Sequence, residues 1–199
     1  HAMAVAGERL TALTGVAPRD VDVIDLYYCF PVAVRLQCRE MGIDPRRELT
    51  VTGGMAFAGG PLNNYVLQAM VALVGRLRAE PAATGLSTSV SGMLTKYGLG
   101  SWSASPPAHG FRAEDVTAEV AARTTTVAVD PSFVGDATLV TVTVAHDKGE
   151  PTVTIALADT AAGTRAVATS TDPSTMAALL EPPPPGTVAA FAGAAFDLP

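Results

Sequence analysis

Apolar residues fall at helical spacing through the first half of the chain and at shorter, alternating spacing through the second. Residues 2–14, AMAVAGERLTALT, predict an amphipathic helix ended by Gly15. A turn at APRD leads to a mostly apolar strand over 21–28, with Asp22 and Asp25 on its polar beats. Residues 31–41 predict a second helix, with Pro31 at its start and Gly42 at its end, the usual places for those residues. The most apolar helix spans about 63–79, with Val66, Ala69, Met70, Leu73, Val74 and Leu77 at helical spacing and Leu67 and Val71 filling much of the other side. Such a helix is expected to lie buried in a layered fold. It is too short to cross a bilayer, which takes about 20 apolar residues.

Residues 51–66, VTGGMAFAGGPLNNYV, deliver the chain into that helix. Four glycines, Gly53, Gly54, Gly59 and Gly60, ahead of Pro61 describe a backbone that turns sharply before a first helical turn, which Asn63 or Asn64 can cap. The loop can present backbone N–H groups to an anionic or carbonyl oxygen, or it can be a tight packing turn. It is not a phosphate loop, because no Gly-Lys-Ser/Thr follows.

Two β-rich runs around Ser91 and Gly92 complete a layered α/β unit over 1–103 with helices packed on a sheet. SASPPAHG, residues 104–110 with the Ser before them, reads as a linker. Over 111–199 short threonine- and valine-rich runs such as TLVTVTVAH and TVTIALA alternate with Gly, Asp and Pro turns. Asp172 heads one small helix, PPPP at 182–185 is expected to be a stiff spacer, and TVAAF and AAFDL supply final strands. Five or six short strands and one small helix predict an all-β barrel resembling an OB-fold.

Composition narrows the chemistry. Of 199 residues 48% are hydrophobic and only 16% charged, and the net charge is −6. Residues 101–199 hold four Lys or Arg against eleven Asp or Glu, and the aromatics do not interleave with bases, so no nucleic-acid partner is expected. Two cysteines, Cys29 and Cys38, make no disulfide framework and fit a reducing, cytoplasmic setting. His109 and His146 have no partner at metal spacing, so no metal is expected, and no membrane segment is visible. The chain begins at His1 inside what already reads as a helix, which suggests a fragment.

Three motifs in order, DVDVIDLYYCFPVAV, TVTGGMAFAGGPLNNY and GLSTSVSGMLTKYGLG, resemble the C-terminal half of a thiolase, and more closely the sterol-carrier-type, thiolase-like acetyl-CoA acetyltransferases that carry an extra C-terminal β-domain. The resemblance covers 1–103 motif by motif and the remainder by order and composition. It implies an acyltransferase of lipid metabolism whose substrate is a coenzyme A thioester and which needs no other cofactor. It also implies an N-terminal half carrying the nucleophilic cysteine, which would be the partner of this chain, with a homo-oligomer as a further expectation.

The family's functional positions are occupied by other residues here. Its Asn-Glu-Ala-Phe motif falls on Tyr27, Tyr28, Cys29 and Phe30, its Gly-His-Pro motif on Gly59, Gly60 and Pro61, and its Cys-x-Gly loop on Ser89, Val90 and Ser91. Glycine moves no proton, and an unassisted serine has too high a pKa for the work of a histidine and a thiolate. This chain alone is therefore not expected to catalyse acyl transfer. The candidate catalytic residues are Tyr27, Tyr28 and Ser89, and the candidate substrate-binding residues are Gly59, Gly60, Asn63 and Asn64. Tyr27 and Tyr28 can serve as hydrogen-bond donors or acid/base groups, or be ordinary core tyrosines. Lys96 and Tyr97 lie on the strand-like segments facing the presumed site, and Lys96 can attract a CoA phosphate or simply be an exposed lysine. Two alternatives stand beside the acyltransferase reading: retro-aldol cleavage of a β-hydroxyacyl-CoA in the intact protein, and a non-catalytic acyl-CoA or lipid-binding module.

Overall fold

The computed structural model describes residues 2–92, 94, 96–181 and 183–198, so His1, the Met93 and Thr95 of the third motif, Pro182 of the proline run and Pro199 lie outside it. The chain forms two units that divide between Thr124 and Thr125. The sequence placed the first boundary at 103–111; helix α5, Thr117–Arg123, belongs instead with the first unit.

In the first unit, α1 (Ala2–Thr14), β1 (Val23–Asp25), α2 (Pro31–Met41), a single turn α3 (Met55–Ala58), α4 (Tyr65–Ala79), β2 (Thr84–Val90) and β3 (Tyr97–Ser103) follow in order. The sheet runs β1-β2-β3, with β1 parallel to β2 and β3 antiparallel to it. Successive residues of β1 face opposite ways. Ile24 packs with Met3, Cys38, Met41 and Leu86, the α1/α2 side, whereas Val23 packs with Leu73 and Leu77 of α4. Gly85 makes that second layer possible: a Cβ there would come within 3.1 Å of Leu77 and 3.2 Å of Leu73. Helix α2 has its proline at the start and ends on Gly42 in the left-handed region at φ 67°, as its sequence indicates.

Two expectations for α4 are corrected. Neither asparagine caps it through a side chain; a 3-10 turn, Leu62–Asn64, precedes it instead. Nor is it buried all round. Tyr65, Ala69, Leu73 and Leu77 face the sheet, while Leu67 is 58% and Val71 75% exposed.

In the second unit β4 (Val129–Asp130), β5 (Val134–Asp147), β6 (Glu150–Asp159), β7 (Arg165–Ser170), α6 (Pro173–Ala178), β8 (Val188–Ala192) and β9 (Ala195–Asp197) build one sheet in the order β4-β7-β6-β5-β8-β9. A parallel bridge between Thr169 and Ala195 closes β7 onto β9, so five strands form a barrel-like ring. Its interior is unusually slim in composition: Ala137, Ala156, Ala158, Ala166, Ala168 and Ala189 leave room for the stacked rings of Phe191 and Phe196, 5.8 Å apart. Asp172 caps α6 by accepting from the Thr175 N–H at 2.8 Å and from the Ser174 hydroxyl. The proline run ends in a turn rather than a stiff spacer: the Thr187 N–H and hydroxyl both donate to the Pro184 carbonyl, with Gly186 at φ 86°.

Thr154 is fully buried in this barrel and its hydroxyl has no hydrogen-bond partner among the described residues. An unsatisfied buried hydroxyl is a net loss that an isosteric methyl removes. Thr154→Val is therefore expected to stabilise the second unit by about 1 kcal/mol, read as a raised Tm in calorimetry; a lowered Tm would mean the hydroxyl is bonded.

Candidate functional site

The centre of the first unit is Asp25, fully buried at the end of β1. One of its oxygens, Oδ2, accepts from the hydroxyls of Thr50 (2.7 Å) and Thr52 (3.1 Å) and from the N–H groups of Val51 (3.0 Å) and Thr52 (3.3 Å). The other, Oδ1, accepts from the Tyr65 phenol at 3.1 Å. The two threonine hydroxyls, having given their protons to the carboxylate, accept from the Gly54 N–H at 3.1 and 3.2 Å. One carboxylate thus ties the mouth of the glycine loop to the first residue of α4. Burial, with the Asp25 charge adding to it, pushes the Tyr65 phenol above its usual pKa, so it stays a donor.

Past β1 the backbone at Tyr27 is clamped by two buried side chains. Its N–H donates to the Thr88 hydroxyl at 2.8 Å and its carbonyl accepts from Gln37 Nε2 at 2.9 Å, while Thr88 donates to Gln37 Oε1 at 2.5 Å. Held this way, the Tyr27 ring stands edge-on to Tyr65, centroids 5.6 Å apart. The next ring, Tyr28, lies over Gly54, whose missing Cβ would fall 3.0 Å from Tyr28 Cδ1. Burial, then the neighbouring Cys29, pushes the Tyr27 phenol upward, so it keeps its proton near neutrality and is suited to donating a hydrogen bond rather than to acting as a base.

Ser89 and Tyr27 each lie two residues beyond the last parallel pair, Asp25 with Ser87, at the carboxyl ends of adjacent parallel strands. That is where open α/β sheets place ligands. The Ser89 hydroxyl is half-buried and sits 3.5 Å from the Gly98 carbonyl, the outer limit of a hydrogen bond. Of the candidate residues, the structure sets Tyr28 against Gly54 at the start of the glycine loop and Tyr27 beside Tyr65. Gly59 and Gly60 lie further along: the Gly59 N–H is used by the Met55 carbonyl at 3.1 Å, and the space beside Gly60 is open to the Met55 sulfur at 3.6 Å. Asn63 and Asn64 are exposed on the turn before α4. Burial raises the Cys38 thiol, which makes it an inert core group. Among the described residues no three His, Cys, Asp or Glu side chains gather as a metal site, and no helix is long and apolar enough to cross a membrane.

Sequence reasoning missed Asp25, Thr50, Thr52, Gln37 and Thr88. One signal was present: an acid inside VIDL, flanked by apolar residues on both sides, cannot face water from a strand covered on both faces.

Around the loop lies an apolar surface. Phe57 (87% exposed) and Leu62 (89%) flank the second glycine pair, Leu67 and Val71 continue along α4, and Phe30 and Val32 stand exposed at the start of α2. Leu62 also holds φ 48°, a left-handed conformation costly for a leucine.

No protein-family model and no curated protein matches the sequence. Among solved structures, a monomeric SCP2-thiolase-like protein type 1 from Mycobacterium smegmatis matches with a TM-score of 0.81 and 29% identity over 93% of this chain. The chain spans 42% of that protein's length. Its fold is thus SCP2-thiolase-like across nearly all of its residues.

Proposed function

We infer that the chain is the C-terminal half of a thiolase-like protein that handles an acyl-CoA, with its site at the mouth of the Asp25-anchored loop. Tyr27, Tyr28 and Ser89 supply the hydrogen-bonding groups at the strand ends, and Gly59 and Gly60, further along the loop, leave open space for a substrate to approach. The observation that carries this reading is the exposed apolar face of α4. A helix of a layered fold that leaves Leu67 and Val71 in water is one whose outer layer is another chain segment, and the nucleophile-bearing N-terminal half is the partner that fits. The second unit adds a barrel of OB type: its ring order β5-β6-β7-β9-β8, with helix α6 between β7 and β8 along the chain, supports that assignment. Its outward row of Thr143, Ile155 and Thr169 carries no charge, which speaks for a role other than nucleic-acid binding.

Sedimentation velocity across a concentration series tests the apolar face. The chain on its own is expected to self-associate, and Leu67→Glu with Val71→Glu to weaken that association at least about tenfold, since each burial of an unpaired carboxylate opposes docking. A chain that stays monomeric throughout would overturn the reading.

A further inference from the structure

We propose that residues 114–123 form an electrostatic strap, latched to α1 by ion pairs and released by salt. Helix α5 has seven residues and buries none of them; Val116 and Val120 reach only half-burial. A helix of that length has too little internal cooperativity to persist unaided in water. What holds it is a set of charges bridging it to α1. Three pairs cross to α1: Arg9 with Glu114 and with Glu119, both at 3.3 Å, and Glu8 with Arg123 at 2.6 Å; a fourth, Arg123 with Glu119 at 2.6 Å, lies within α5. Glu119 is the hub, one oxygen on each arginine.

All five side chains are between 32% and 61% exposed, so the pairs lie in high dielectric and within reach of screening ions. Surface pairs of this kind weaken as the Debye length shrinks, and with no buried apolar face to take over, α5 then loses its hold. The consequence is a change in tether length. Latched, the chain ahead of β4 that is free of secondary structure and of the latch is 124–128; released, it begins after β3 and runs from 104.

Hydrogen exchange by mass spectrometry reads this directly. Between about 20 mM and about 0.5 M salt the amides of 117–123 are expected to exchange roughly tenfold faster, while those of α4 hold their rate. Arg9→Gln and Glu8→Gln lie on α1 and leave the sequence of α5 intact, so an effect on α5 can pass only through the latch. Arg9→Gln, which loses two pairs, should exchange fast already at low salt and lose most of its salt response; Glu8→Gln should fall between. Salt-insensitive exchange in the unaltered chain, or unchanged exchange in Arg9→Gln, overturns the strap.

Discussion

Asp25→Asn is expected to cost the first unit about 3–5 kcal/mol, because four donors converge on one carboxylate oxygen and a fifth on the other. An asparagine can present its carbonyl to only one of these two sets. If it faces Tyr65, the amide N–H groups point at Thr50, Thr52 and two backbone N–H groups, which are themselves donors. If it faces the loop, its amide group meets the Tyr65 phenol, which loses its charged acceptor and keeps only the Thr52 hydroxyl at 2.9 Å in a fully buried position. Against a typical domain stability of about 5–15 kcal/mol, either outcome removes a large share. The denaturant midpoint should fall and the Tyr27–Tyr65 edge contact should loosen, visible in near-UV circular dichroism. Tyr65→Phe is the graded control: it deletes one donor, leaves the charge four others, and should cost about 1–2 kcal/mol. An Asp25→Asn chain with an unmoved midpoint would mean that the loop is held by packing alone.

This network marks the boundary of what the sequence discloses. Helices α1 and α2 were legible to the residue, since amphipathic spacing, Pro31 and Gly42 are local signals. The change to β-structure, the Asp172 cap and the closing β8 and β9 were legible for the same reason, whereas β5 and β6, at 14 and 10 residues, are longer than the short strands expected. The Tyr27, Tyr28 and glycine-loop grouping came from the family resemblance. Asp25 was not legible as a hub because its partners lie 25 to 40 positions away, and periodicity carries no information about such distances. The same limit applies to α4. Its sequence states that both faces are apolar; which face the sheet of this chain covers depends on Gly85 and β1, and the remainder stays exposed. Helix α5 went unread because a seven-residue helix without a buried face has almost no hydrophobic pattern to detect.

Gly54→Ala is expected to be nearly as damaging, and for a reason confined to a few atoms. Gly54 holds φ 74° and ψ −178°, a combination that only glycine adopts without substantial strain. Its N–H is pinned by Thr50 and Thr52, so the backbone cannot rotate away without releasing the Asp25 network. The added Cβ would also press on the Tyr28 ring at 3.0 Å. Strain and overpacking together should cost about 3 kcal/mol or more and shift Tyr28 off the mouth of the loop. Gly60 makes the contrast. Its φ lies outside the left-handed region and a Cβ there meets nothing nearer than the Met55 sulfur at 3.6 Å, so Gly60→His should leave the midpoint within about 0.5 kcal/mol. That variant places an imidazole where the thiolase resemblance expects one, on an undisturbed loop. If Gly54→Ala left the midpoint unchanged, the loop would have a second conformation of equal energy, and the rigid mouth on which the proposed acyl-CoA site depends would not exist.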